Sequence, residues 1–198
     1  MSRRIVACGG RELFYPTRID YVFSLARRPR PRVAFLGTAS GDSPDYLLTF
    51  YQQLAGRDCE PTHLELYHRT VDDIDAFFGD QDLIIVGRGN TANMLAVWRL
   101  HGVDRALRAA YEAGTVLTGW SAGCICWFEG GTTDSFTPEL GALRDGLGYP
   151  KGSATPTTTA RSAVGWSTRA RSRRACPAGS RSTTVWPRGM TTSGWSRS

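Results

Sequence analysis

No stretch of this 198-residue chain approaches the roughly 18 consecutive apolar residues that a membrane-spanning helix needs. No membrane partner is therefore expected. The N-terminus, Met1 to Gly10, carries basic residues but only a very short apolar run, so it reads as a first strand and not as a signal peptide. The five cysteines (8, 59, 124, 126 and 176) are scattered and odd in number. They show no metal-ligand spacing; Cys124-x-Cys126 reads as a pair of buried thiols. No metal or cofactor is expected, and a reducing cytoplasm suits the cysteines best. Histidine is scarce: His63, His68 and His101 are the whole complement, and all lie in the first half of the chain or just past it.

Acidic residues are also missing from one part of the chain. From Lys151 to Ser198 there are eight Arg, one Lys and no Asp or Glu. That segment carries +9, and the first 150 residues, with 15 basic and 18 acidic side chains, carry −3. The net charge of +6 is thus an average over two different materials. It does not signal a nucleic-acid binder, which would be basic in its folded part. Eighteen of the last 48 residues are Ser or Thr, and none is Leu, Ile, Phe or Tyr. Such a segment buries too little apolar surface to offset its ordering entropy. The expected organisation is one domain over residues 1–150 and a basic, Ser/Thr/Arg-rich tail over 151–198 without regular packing.

Within the first 150 residues, strand and helix patterns alternate. Residues 5–10 form a short β run, and 13–25 carry helical spacing. Arg32-Val33-Ala34-Phe35-Leu36 reads as a strand, 45–54 as an amphipathic helix, 62–67 as a strand and 71–78 as a short helix. Asp82-Leu83-Ile84-Ile85-Val86 is continuously apolar after its first residue, as a strand buried on both faces is. Two helices, 92–101 and 103–113, lead to a strand at 115–118. This alternation gives an α/β fold, a mostly parallel sheet with helices on both faces. Sites in such sheets form at the carboxyl ends of strands. Two loops meet that description: Gly87-Arg88-Gly89-Asn90-Thr91, and the turn after Thr118.

That second turn, Gly119-Trp120-Ser121-Ala122-Gly123, has the Gly-x-Ser-x-Gly form of a nucleophile elbow. The pattern puts a Ser on a sharp strand-to-helix turn, and the small flanking residues avoid collisions with the neighbouring strand and helix. The bland alternative is a Gly-rich turn with an incidental Ser. If the strands ending at Val86 and Thr118 lie side by side, the amides of Gly89 and Ala122 form an oxyanion hole beside Ser121. The first loop has no third Gly and no Lys-Ser/Thr, so it argues only weakly for a nucleotide.

Three runs together, Ile84 to Thr91, Thr118 to Gly123 and Cys126 to Ser135, resemble the peptidase E family of serine peptidases. The resemblance covers about residues 5 to 149. It implies a class I glutamine-amidotransferase-like fold and hydrolysis of short peptides, in the best-known members dipeptides with an N-terminal Asp. It further implies Ser121 as nucleophile and Gly89 and Ala122 as oxyanion-hole residues, with Asn90 and Thr91 beside the substrate. Glu129 and Asp134 are the two candidates for the catalytic acid. Arg88 departs from the pattern, since the family loop usually has Gly there. It is tolerated only if its backbone angles accept a Cβ. A small peptide is the expected partner, and self-association is left open.

The family's catalytic His follows the Ser by some tens of residues, and here none does. A shifted reading frame explains the loss. Pro156-Thr157-Thr158-Thr159-Ala160-Arg161 has a permitted coding that, read from its third base, spells His-Tyr-Asp-Gly-Glu, the context the family His occupies. The same shift lets Ser182 to Trp186 encode Asp-Asp-Gly-Val and permits a Tyr-Asp-Asp from Gly189 to Thr192. Two other readings compete. One is a natural inactive protein of the same fold that binds peptide or an acidic partner. The other is an enzyme that uses Cys124 or Cys126 in place of Ser121.

Overall fold

The computed structural model describes residues 2–155 and 181–186. The chain begins with strand β1 (Arg3–Cys8), a single 3₁₀ turn at Arg11–Phe14 and helix α1 (Pro16–Ser24). One helix was expected from residue 13 to 25. Pro16 explains the break, since its missing N–H and fixed φ suit the first turn of a helix and not its interior. Strand β2 (Arg32–Leu36), helix α2 (Pro44–Leu54), strand β3 (Glu60–Leu64) and helix α3 (Ile74–Gly79) follow. Then come β4 (Leu83–Val86), α4 (Thr91–His101), α5 (Val103–Glu112) and β5 (Val116–Trp120). Gly102, at φ 73°, both ends α4 and starts α5, a left-handed position that glycine occupies without penalty.

These strands build one parallel sheet in the order β3-β2-β4-β5-β1, extended beyond β1 by β9 (Arg181–Trp186). The expected α/β architecture is thus present. All four residues of β4 are buried, and alternate ones feed opposite cores. Leu83 and Ile85 join the cluster holding α1 and α2, with Ile19, Val22, Phe50 and Leu54. Ile84 and Val86 join the cluster holding α3, α4 and α5, with Phe78, Met94, Trp98 and Leu107. The period-two alternation of a strand therefore gives two apolar faces, each covered by helices.

After β5 the short helix α6 (Ala122–Ile125) leads into β6 (Gly130–Thr133), β7 (Gly141–Leu143) and β8 (Ser153–Ala154). These three make a small second sheet, antiparallel between β6 and β7 and parallel between β6 and β8. The sequence reading had no strands here. Two segments of the tail also differ from expectation. Ser153–Ala154 pairs with β6, and Arg181–Trp186 runs parallel to β1 from Arg3 to Cys8. The outer edge of β1 otherwise presents a row of unpaired backbone groups. A Thr-Thr-Val-Trp segment is a good strand former, and pairing of this kind uses backbone groups, so large aliphatics are not required. Residues 156–180 and 187–198 of the tail lie outside the described residues.

One buried charge anchors the amino ends of the central strands. Asp82 is fully buried. Its Oδ1 accepts from Arg27 Nε at 3.2 Å, and its Oδ2 accepts from an Arg28 guanidinium nitrogen and from the Arg32 backbone N–H, both at 3.1 Å. Every partner here is a donor, which is what a carboxylate out of water requires. Removing it takes an acceptor from the Arg32 backbone N–H and from two partly exposed arginines that keep the Gln81 and Asp80 carbonyls. Asp82→Ala should therefore cost about 1–3 kcal/mol, read as a lower urea midpoint at unchanged slope; no measurable loss would show that solvent replaces these bonds.

Candidate active site

Parallel β4 and β5 are neighbours, with Val86 opposite Gly119. Their two following loops therefore emerge side by side. Ser121 follows β5 at φ 56° and ψ −116°, one of two non-glycine residues with positive φ among those described. The turn is held by contacts that admit no side chain. A Cβ on Gly119 would lie 2.6 Å from the Val86 carbonyl oxygen, and one on Gly123 would overlap that same carbonyl. Gly123 N–H donates to the Gly87 carbonyl at 3.0 Å, and the Cys124 and Ile125 amides close the first helical turn on the Ser121 carbonyl at 2.9 and 3.0 Å. The backbone at Ser121 is thus forced into its strained conformation from both sides.

The β4 loop is pinned with similar economy. Gly87 N–H donates to the Leu36 carbonyl at 3.0 Å, and Asn90 N–H to the Ala39 carbonyl at 2.8 Å. Gly89 has φ 140°, and a Cβ there would run into the Ala39 carbonyl. Arg88 is not among the positive-φ residues, which is how this position accepts a side chain where the family pattern has Gly. Neither the Gly89 amide nor the Ala122 amide donates to another described residue.

A cavity of about 370 Å³ lies over these loops, lined by Arg88, Gly89, Asn90, Thr91, Ser121 and Ile125 on one side and by Thr132, Thr133, Asp134 and Leu140 on the other. Five of the positions expected at the site, Gly89, Asn90, Thr91, Ser121 and Asp134, therefore share one space. Ala122 is buried directly after Ser121, so only its backbone can take part. Glu129 lies outside the cavity lining. Its carboxylate accepts from Gly152 N–H at 3.0 Å, and its own N–H donates to the Gly152 carbonyl, so it fastens the turn before β8. Of the two candidate acids, Asp134 alone shares the cavity with Ser121.

Asn90 and Thr91 sit at the start of α4. Asn90 Oδ1 accepts from the Asn93 N–H at 2.8 Å, an N-cap, and its Nδ2 donates to the Ser135 carbonyl at 2.9 Å. The Thr91 hydroxyl is buried and has no hydrogen-bond partner among the described residues, although Thr91 lines the cavity. Ser135 was missed as a contributor in its own right. Its hydroxyl accepts from the Thr91 and Ala92 amides at 2.9 and 3.3 Å and contacts the Thr133 hydroxyl at 2.7 Å. It therefore ties the segment carrying Asp134 to the α4 terminus. The only signal for it was its place in a Thr-Thr-Asp-Ser run of turn and cap formers.

No histidine lines this cavity. His63 lies on β3, at the far edge of the sheet, with Nδ1 2.7 Å from the Tyr51 hydroxyl. His68 is exposed, and His101 lines a separate depression with Asp72, Asp73 and Arg105. Cys124 and Cys126 are fully buried. Burial pushes both thiols well above the usual range, with Cys8 and Cys126 adding to the effect at Cys124. A thiol held neutral in this way is a poor nucleophile. Among the described residues there is no cluster of potential metal ligands, and no described helix is long and apolar enough to cross a membrane.

The strain at Ser121 is measurable. A non-glycine residue in a sparsely populated region costs about 1–3 kcal/mol, and glycine gives back part of the relief through its looser unfolded chain. Ser121→Gly should therefore raise stability by about 1 kcal/mol net, seen as a higher urea midpoint; a destabilised Ser121→Gly would show that the conformation is not strained.

Comparison with known proteins agrees with this geometry. The family profile of peptidase family S51 matches residues 12–172. The uncharacterized peptidase YgaJ of Bacillus subtilis (strain 168) is 42% identical over 158 residues, which cover 78% of this chain and 68% of that protein. Among solved structures, a protein assigned to peptidase E from Listeria monocytogenes EGD-e superposes with a TM-score of 0.57 at 17% identity, over 75% of this chain and 76% of that one. A peptidase from an acI-B1 Actinobacterium gives 0.56 at 17% identity, over 76% and 67%. The fold is thus the glutamine-amidotransferase-like α/β fold of the peptidase E proteins, and the extent of the profile match together with the sequence identity to YgaJ places the chain in peptidase family S51.

Proposed function

We propose that this is a serine-type peptidase acting on short peptides, among them Asp-containing dipeptides, with Ser121 as its nucleophile. The observation that carries the reading is Ser121 itself: a strained, half-buried serine at a strand-to-helix turn, lining a cavity that Asp134 also lines. This is the arrangement of a nucleophile elbow. The hydroxyl attacks the scissile carbonyl carbon, and the carbonyl oxygen becomes an anion. The unengaged amides of Gly89 and Ala122 are the donors available to that anion. Asp134 is the acid best placed to orient an imidazole, since Glu129 is engaged with Gly152.

Ser121 lacks a base in this chain. A serine hydroxyl is a weak nucleophile at neutral pH without one, and His63, His68 and His101 all lie away from the cavity. This favours the reading that the segment beyond about residue 150 is translated out of frame and that the restored segment supplies the histidine at positions 156–157. A natural inactive protein with the same pocket is the competing reading; it shares the missing histidine but does not account for the His-Tyr-Asp-Gly-Glu coding that Pro156 to Arg161 permits. The nucleotide sequence around codon 150 separates the two.

Two outcomes follow. In a chain with the frame restored after about residue 150, Ser121→Ala should abolish turnover of an Asp-containing dipeptide while the circular dichroism spectrum is kept; unchanged turnover would remove Ser121 from the role. The 198-residue chain should be slower than the restored one by about 10⁴ to 10⁶, the usual cost of losing a triad member. Equal rates in the two would defeat the frame argument and send the search for a base back to His63, His68 and His101.

A further inference from the structure

We infer that Arg88 is a specificity residue that receives a carboxylate of the peptide substrate. The inference rests on the proposed peptidase reading and adds a ligand contact to it. Among the described residues, Arg88 is the one basic side chain lining the Ser121 cavity. It is exposed, and no hydrogen bond or ion pair ties its guanidinium to any described residue. Other arginines of the fold are engaged: Arg27 and Arg28 with Asp82, Arg57 with Asp20, Arg99 with Asp145. Asp134 lines the same cavity, yet the two form no ion pair within 4 Å. Among the described residues the cavity therefore offers one unpaired cation.

The backbone on both sides of Arg88 is immobilised. Gly87 is bonded to Leu36 and Asn90 to Ala39, and Gly89 is wedged against the Ala39 carbonyl. The guanidinium thus springs from a fixed point next to the Gly89 amide. A peptide whose scissile carbonyl points at that amide brings its flanking groups within reach of a five-atom side chain. Arginine's planar fork matches a carboxylate with two parallel hydrogen bonds. The loop of this shape needs Gly at 89 but not at 88, so a charged side chain is added here without disturbing the oxyanion position. A short peptide carries a carboxylate at its C-terminus, and an acidic residue adds a second on its side chain; both present the same chemistry to Arg88.

Binding to the intact 198-residue chain tests this without requiring turnover. Affinities of the dipeptides Asp-Leu, Asn-Leu and the C-terminal amide of Asp-Leu are measured by calorimetry or NMR titration, for the parent and for Arg88→Gln and Arg88→Lys. The expected result is that Arg88→Gln weakens Asp-Leu by about tenfold or more, the scale of a charge-assisted hydrogen bond, with Arg88→Lys in between. The peptide lacking the recognised carboxylate should bind weakly to the parent and be indifferent to Arg88→Gln. Loss of that sensitivity in Asn-Leu identifies the side-chain carboxylate, and loss in the amide identifies the C-terminal one. Equal affinities of parent and Arg88→Gln for all three peptides would overturn the inference and leave the peptidase reading standing. Absence of saturable binding by the parent to any of them would also overturn the inference, and the peptidase reading would then rest on turnover by the frame-restored chain.

Discussion

The site depends on a backbone-to-backbone contact between two neighbouring turns. Gly119 and Gly123 pack against the Val86 carbonyl, and Gly123 N–H bonds the Gly87 carbonyl at 3.0 Å. No side chain fits between these surfaces. The contact draws the β4 loop and the Ser121 turn together at the carboxyl edge of the sheet, and it forces Ser121 to φ 56°. The arrangement at the cavity follows: the Gly89 and Ala122 amides, which donate to no other described residue, and the half-buried Ser121 hydroxyl are set by two adjoining turns because two carbonyls and two glycines interlock. The strain is held by the surrounding structure, in the way functional positions commonly are.

A second layer of support comes from hydrogen bonds between the cavity's own polar residues and the segment after β6. Asn90 caps α4 and bonds the Ser135 carbonyl, and the Ser135 hydroxyl accepts two α4 amides. These bonds fix the β6–β7 segment, and with it Asp134, relative to the loop that carries Gly89. Beneath them Trp98 is fully buried, its indole N–H reaching the Thr38 hydroxyl at 3.2 Å. At the opposite end of the sheet, Asp82 gathers Arg27, Arg28 and the Arg32 amide. The strands are therefore fixed at both ends, and a rigid scaffold presents the two loops.

Much of this was readable from the residues. The continuous run Leu83 to Val86 marked a strand buried on both faces, and the alternation of patterns gave the parallel sheet. Gly119 and Gly123 around Ser121 marked the turn because only small residues fit there. What could not be read came from long-range bonding. The chain after Ser121 looked like the start of a helix, yet α6 ends after four residues. The carbonyls of Cys126, Trp127 and Phe128 instead accept from Leu147, Tyr149 and Gly148 at 2.8 to 3.1 Å, and no local pattern announces partners twenty residues away. The strand at 181–186 was hidden for a related reason, since an open sheet edge recruits backbone and not composition. The choice between Glu129 and Asp134 was also tertiary. Only the fold shows that the first is turned to Gly152 and the second to the cavity.

Covalent trapping tests most directly the proposed role of Ser121 as nucleophile. The frame-restored chain is treated with a fluorophosphonate, which reacts with a serine only when that serine is activated, and the adduct is located by peptide mass mapping. The account predicts a single adduct on the peptide containing Ser121, blocked by prior incubation with a dipeptide and absent from the 198-residue chain. Hydrolysis of dipeptides with no adduct at Ser121, or with the adduct on another residue, would contradict it.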